Sequence, residues 1–151
     1  MKKIIITLAA VFVSMSGCDK KKNANTVYQN ALAALYPTAK HVEWDFDDGY
    51  MTAEFRDDGM DAKVWFDKDG TWLKTETDVL FKYLPHQIQE AFGSSDYAEW
   101  KIDDIRYVKI NKDPEEELDY YEFDVEKEEK DVNFAVYPDG TIAEKPYFEK
   151  F

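Results

Sequence analysis

The sequence predicts an α+β fold: two tandem repeats, each a helix followed by a four-stranded antiparallel meander. The repeats join into one roughly eight-stranded sheet with the helices on one face. Three observations lead there. Asp-Gly pairs separate short alternating runs three times in succession, at Asp48-Gly49, Asp58-Gly59 and Asp69-Gly70, which is the strongest short-range hairpin signal. A stretch of helix-spaced apolar residues precedes each set of strands. The order of features then recurs, with Tyr36 falling on Phe92, Glu43 on Glu99 and Trp44 on Trp100 at an offset of 56. The turn Asp69-Gly70-Thr71 matches Asp139-Gly140-Thr141 at an offset of 70, so the second copy carries an insertion, for which the acidic run 111–117 is the natural place.

The chain opens with Lys2 and Lys3, an apolar run from Ile4 to Val13, and Ser14-Met15-Ser16-Gly17-Cys18. A basic start, a short apolar stretch and a small-residue exit describe an export signal, and about ten apolar residues are too few to span a bilayer. The chain's single cysteine directly follows that exit. Residues 1–17 are therefore expected to be removed and Cys18 to carry lipid, as at the lipobox of bacterial lipoproteins, with Met15 where Leu is usual. Loss of Lys2 and Lys3 leaves 17 bases against 32 acids. Residues 18–25 then form the lipidated end and a polar tether, 26–76 the first repeat and 77–151 the second.

Val27, Ala31 and Leu35 lie four apart, with Tyr28 and Leu32 beside them, giving one apolar face that ends at Pro37. Val42, Trp44 and Phe46 alternate with acids, then Met51, Ala53 and Phe55, then Ala62, Val64 and Phe66, and the fourth strand runs from Trp72 to Glu76. Residues 77–83 read as a lead-in helix or turn. In the second repeat Pro85 suits a first helical turn, and Leu84, Ile88, Ala91 and Phe92 form the stripe that Gly93 stops. Strands follow at 100–110, 120–126, 131–137 and 141–145.

These features resemble a known group. The segment Leu84-Pro85 through Ala91-Phe92, the pair Glu43-Trp44 with Glu99-Trp100, and Phe66-Asp67-Lys68-Asp69-Gly70 are similar to the PepSY-like exported proteins, whose fold is like that of the β-lactamase inhibitor protein. The resemblance covers nearly all of 26–145. It implies a binding role, because the inhibitor protein grips its enzyme with a concave sheet face and PepSY domains in protease propeptides are thought to restrain peptidases.

Composition sets the limits on function. From Thr26 onward 14 bases face 31 acids, which excludes a nucleic-acid surface, since phosphates demand clustered Lys and Arg. His41 and His86 are the only histidines, and no Gly-x-Ser-x-Gly motif is present, so no nucleophile, base and orienting group can be named. The reading is of a non-enzyme without cofactor or metal. Asp67-Lys68-Asp69-Gly70 offers a faint calcium-loop pattern without the closing bidentate Glu, which keeps a calcium or small-ligand sensor as the alternative. If Val64 and Phe66 face the helix, alternation sends Trp65 to the opposite face, together with Tyr50 and Trp72 in the first repeat and Tyr120 and Tyr137 in the second. Such an aromatic face would suit a protein or peptide of the envelope, favoured as basic by the acidic charge. Membrane contact is expected only through the lipid on Cys18, with the outer membrane favoured.

Overall fold

A computed structural model describes residues 25–113 and 116–143. The residues expected to form the export signal, Cys18, most of the expected tether, residues 114–115 and residues 144–151, where the last strand is expected to run to 145, lie outside the described residues. Helix α1 (Thr26–Leu35) leads into β1 (Glu43–Asp47), β2 (Tyr50–Asp57), β3 (Met60–Phe66) and β4 (Trp72–Asp78). A 3₁₀ turn (Phe81–Tyr83) and α2 (His86–Gly93) precede β5 (Lys101–Asp113), β6 (Glu116–Lys127), β7 (Lys130–Val136) and β8 (Ile142–Ala143). The eight strands form one sheet in sequence order, every neighbouring pair antiparallel.

Local chemistry explains the elements. The Asn25 side chain accepts from the amides of Val27 and Tyr28 at 3.0 and 3.4 Å and so caps α1. Asp48-Gly49 and Asp58-Gly59 both take positive φ at both positions, the geometry that matches a two-residue turn to strand twist. The third Asp-Gly turn is repeated in both halves. Gly70 and Gly140 have φ of 86° and 85°, Asp67 N donates to Thr71 O, and Tyr137 N donates to Thr141 O. The insertion in the second half lengthens one hairpin, since β5 and β6 have 13 and 12 residues against 5 and 8 for β1 and β2.

Two cores lie under the two helices. Tyr28 and Leu32 of α1 pack on Met51, Ala53, Phe55, Ala62, Val64 and Phe66. Ile88 and Phe92 of α2, with Leu84, pack on Ile105, Phe123, Val125, Phe134 and Val136. The second core is an aromatic stack: Phe92 lies 5.1 Å from Phe123 and Phe123 lies 5.4 Å from Phe134, with nearly parallel rings. Full burial of each such ring stabilises the fold by about 1.5–3 kcal/mol.

One expectation about side-chain direction is corrected here. Trp72 does not share a face with Trp65. Trp65 pairs with Lys74, but the next partners are Phe66 and Trp72, so Leu73 is an extra residue in a β-bulge. The bulge reverses the parity beyond it and returns Trp72 to the α1 side, where it packs against the first core and its Nε1 donates to Thr75 Oγ1 at 2.9 Å. The second repeat's strands also begin and end one to four residues away from the expected bounds, and β4 runs two residues further, to Asp78.

Candidate functional site

Directly paired residues share a sheet face, so the registers map the side turned away from both helices. Asp45, Thr52, Trp65, Lys74, Ile110 and Leu118 form one row across β1 to β6. Glu43, Glu54, Lys63, Glu76, Val108 and Tyr120 form the next. Asp78, Arg106, Glu122, Ala135 and Ala143 form a third across β4 to β8.

This helix-free face has two characters. Over β5 to β7 it is apolar and closed: Val108, Ile110, Tyr120 and Ala135 are buried together, with the Tyr137 ring 5.9 Å from Tyr120. Burial, with Glu122 and Glu76 nearby, holds the Tyr120 phenol well above its ordinary value. Over β2 to β5 the face is charged. Lys74 and Glu76 pair at 2.6 Å with each side chain only 18% exposed. Arg106 reaches Asp104 at 2.9 Å, Glu122 at 3.6 Å and Glu76 at 3.7 Å. Desolvation, then the charges of Asp104 and Asp61, raise the Asp78 carboxyl above the usual range. A cavity of about 580 Å³ opens beside this lattice, with Lys40 and His41 at one side and Glu76, Asp78 and Arg106 at the other.

Four of the five expected aromatics therefore belong to the helix-free side, and they do not form one bare patch. Tyr50 and Trp65 are half-buried near β2 and β3, and Lys74 Nζ lies 4.1 Å from the centre of the Trp65 ring. Tyr120 is only 1% exposed, so its ring, although on this face, does not offer itself to a partner. Tyr137 packs on it, half-buried. Trp72 lies on the opposite side, as described above. His86 is exposed and 3.3 Å from Glu90, and His41 takes φ of 55° in the loop before β1. Asp67 of the calcium-like pattern is occupied locally, its Oδ1 accepting from the amides of Asp69 and Thr71 at 2.8 and 2.9 Å.

Comparison with known proteins supplies the family. Residues 40–143 match the family model described as beta-lactamase-inhibitor-like, PepSY-like. The chain belongs to the PepSY-like family. Solved structures agree with that assignment. A BLIP-like protein from Bacteroides fragilis is 30% identical, with a TM-score of 0.73 over 80% of this chain and 84% of its own. A DUF2874 family protein from Bacteroides uniformis is 28% identical, with a TM-score of 0.71 over 80% and 86%. A protein described as a candidate periplasmic protein, from Bacteroides eggerthii, is 27% identical, with a TM-score of 0.71 over the same shares. No curated protein matches the chain.

Sequence reasoning missed the charge lattice of this PepSY-like sheet. Its members are spread over β4, β5 and β6, and only the registers Asp78↔Arg106 and Arg106↔Glu122 bring them together. A signal was present: Lys74-x-Glu76-x-Asp78 and Asp104-x-Arg106 carry charge at every second residue, the period of one sheet face.

Proposed function

We propose that this chain is a non-enzymatic, lipid-anchored binding module of the bacterial cell envelope that holds a protein or peptide on its helix-free sheet face. Its sharper form is an inhibitor or regulator of a peptidase or other hydrolase. The observation that carries the reading is the β2–β5 part of that face, where Lys74 Nζ lies 4.1 Å from the centre of the half-buried Trp65 ring and pairs with Glu76, Glu76 and Arg106 line an open groove, and half-buried Tyr50 stands on the same face. Aromatic and Arg side chains are the types enriched at binding hot spots. The BLIP-like description of a 30%-identical structure supports a protein partner, and the periplasmic description of another supports export. The excess of acids favours a partner with a basic contact surface, chiefly through faster encounter.

The test immobilises wild-type protein and a Tyr50→Ala, Trp65→Ala double variant, and compares what each retains from envelope extracts. A partner held by wild type and lost by the variant is expected. Identical capture by both would remove the helix-free face from the binding role. Export and anchoring are tested separately by feeding cells a clickable fatty acid: wild type takes the label and Cys18→Ser does not. A wild-type chain recovered unlabelled from the soluble periplasm would overturn the lipid anchor.

A further inference from the structure

The two helices cover opposite halves of the sheet, and the strip between them, on β4 and β5, has no helix above it. On that strip lies a half-open slot of about 250 Å³, walled by Leu35 and Tyr36 at the end of α1 and floored by Trp72, Thr75 and Lys109. The lining is aromatic and apolar apart from two groups. Thr75 is 3% exposed; its Oγ1 accepts the Trp72 indole hydrogen, and among the described residues its own hydroxyl hydrogen has no acceptor. Lys109 is half-buried, and among the described residues no carboxylate comes within 4.0 Å of its Nζ. Asp119 stands opposite it in register, but the Tyr107 hydroxyl donates to that carboxylate at 2.6 Å. In a chain where acids outnumber bases by 13, a half-buried ammonium without an ion pair is the exception. Beside it the Tyr107 ring centre lies 5.7 Å from Nζ, within reach of a cation–π contact.

We propose that this slot binds a small carboxylate bearing an aromatic ring. The ring lies between Leu35, Tyr36 and Trp72, and the carboxylate accepts from Lys109 Nζ and Thr75 Oγ1. The charge complements the lone cation, and the volume suits one ring with a short acidic arm. The site is on the face opposite the proposed protein-binding surface and shares no residue with it, so either can fail alone.

The probe is phenylacetate, titrated into ¹⁵N-labelled protein with the Trp72 indole and Thr75 amide resonances followed by NMR. Saturable shifts at those two groups are expected, and phenylacetamide should bind at least about tenfold more weakly, because a charge-assisted bond is lost. Lys109→Met should abolish the preference for acid over amide and Lys109→Arg should keep it. The Tyr50→Ala, Trp65→Ala variant should bind phenylacetate like wild type. Equal binding of acid and amide to wild type overturns the proposal, as does the absence of saturable shifts at Trp72 and Thr75. The wild-type comparison decides this even if Lys109→Met fails to fold.

Discussion

The bulge that turns Trp72 inward makes a sharp prediction about two tryptophans only seven residues apart. Trp72 is half-buried against the first core and donates to a hydroxyl that is itself 3% exposed. Truncating a fully buried aromatic to Ala costs about 3–5 kcal/mol, and since part of the Trp72 surface already meets water the expected loss is about 2–3 kcal/mol. Trp65 lies on the helix-free side, where its main recorded partner is the Lys74 ammonium, a contact worth about 0.5–1 kcal/mol at such a site. Trp72→Ala should therefore destabilise by about 2 kcal/mol more than Trp65→Ala, on the order of 5–10 °C in Tm for a domain of this size. Urea unfolding followed by far-UV circular dichroism is the suitable assay, because each variant removes a fluorophore. Equal losses, or a larger loss for Trp65→Ala, would mean that Leu73 is not bulged and that the faces of β4 are reversed.

Four further outcomes are expected. Gly70→Ala should cost about 1–3 kcal/mol more than Gly49→Ala in the same unfolding assay: both glycines have positive φ, but only at Gly70 would a Cβ meet Val27 Cγ1, at 2.4 Å. Tyr120→Ala should cost about 3–5 kcal/mol by chemical denaturation, since the ring is fully buried against Val108, Ile110 and Ala135 on the helix-free side. Asp78→Asn should raise Tm at pH 7, and the gain should vanish in a pH series as pH falls through the raised Asp78 pKa, because a carboxyl whose folded pKa is raised costs stability only while it is ionised. Arg106→Met should lose on the order of 2 kcal/mol at pH 7, because Glu76, Asp104 and Glu122 lose their shared cation, and urea unfolding in about 1 M salt should find a smaller loss as the partly exposed pairs are screened.

What was legible in the sequence was whatever local chemistry decides. Asp48-Gly49 and Asp58-Gly59 can make few turns other than the ones they make, and the helix Thr26–Leu35 lies where apolar spacing puts it, although its buried side is Tyr28 and Leu32 while Val27 and Leu35 of the expected stripe are exposed. Alternation carried Tyr50 and Trp65 to the correct side because no irregularity intervenes between β2 and β3. It failed at Trp72 because a single extra residue, Leu73, puts Trp72 out of phase with Lys74, Glu76 and Asp78 on that strand and leaves no mark in composition. Tyr120 was assigned to the correct face, yet its burial was not visible, because exposure depends on neighbours from β5 and β7 such as Val108 and Ala135. The lone Lys109 was hidden for the same reason. A lysine is read as a base from sequence, and only the tertiary position of Asp119 and Tyr107 shows that the acid opposite it in register accepts from a tyrosine.

The joint between the halves ties these features together. Each helix closes its own core, so β4 and β5 meet where neither helix reaches, and an apolar seam there would expose surface on both sides of the sheet. Polar groups line the joint on both sides instead, beside the buried Val108 and Ile110 of β5 on the helix-free side. Thr75 pairs with Lys109 and Thr77 with Tyr107 on the helix side, and Lys74, Glu76, Asp78 and Arg106 gather on the other. The β4–β5 ladder joins the two repeats, and Arg106 adds a side-chain bridge across it, from β5 to Glu76 on β4 and to Glu122 on β6. The same guanidinium lines the open groove, so a partner held there as proposed would sit against a contact between the repeats.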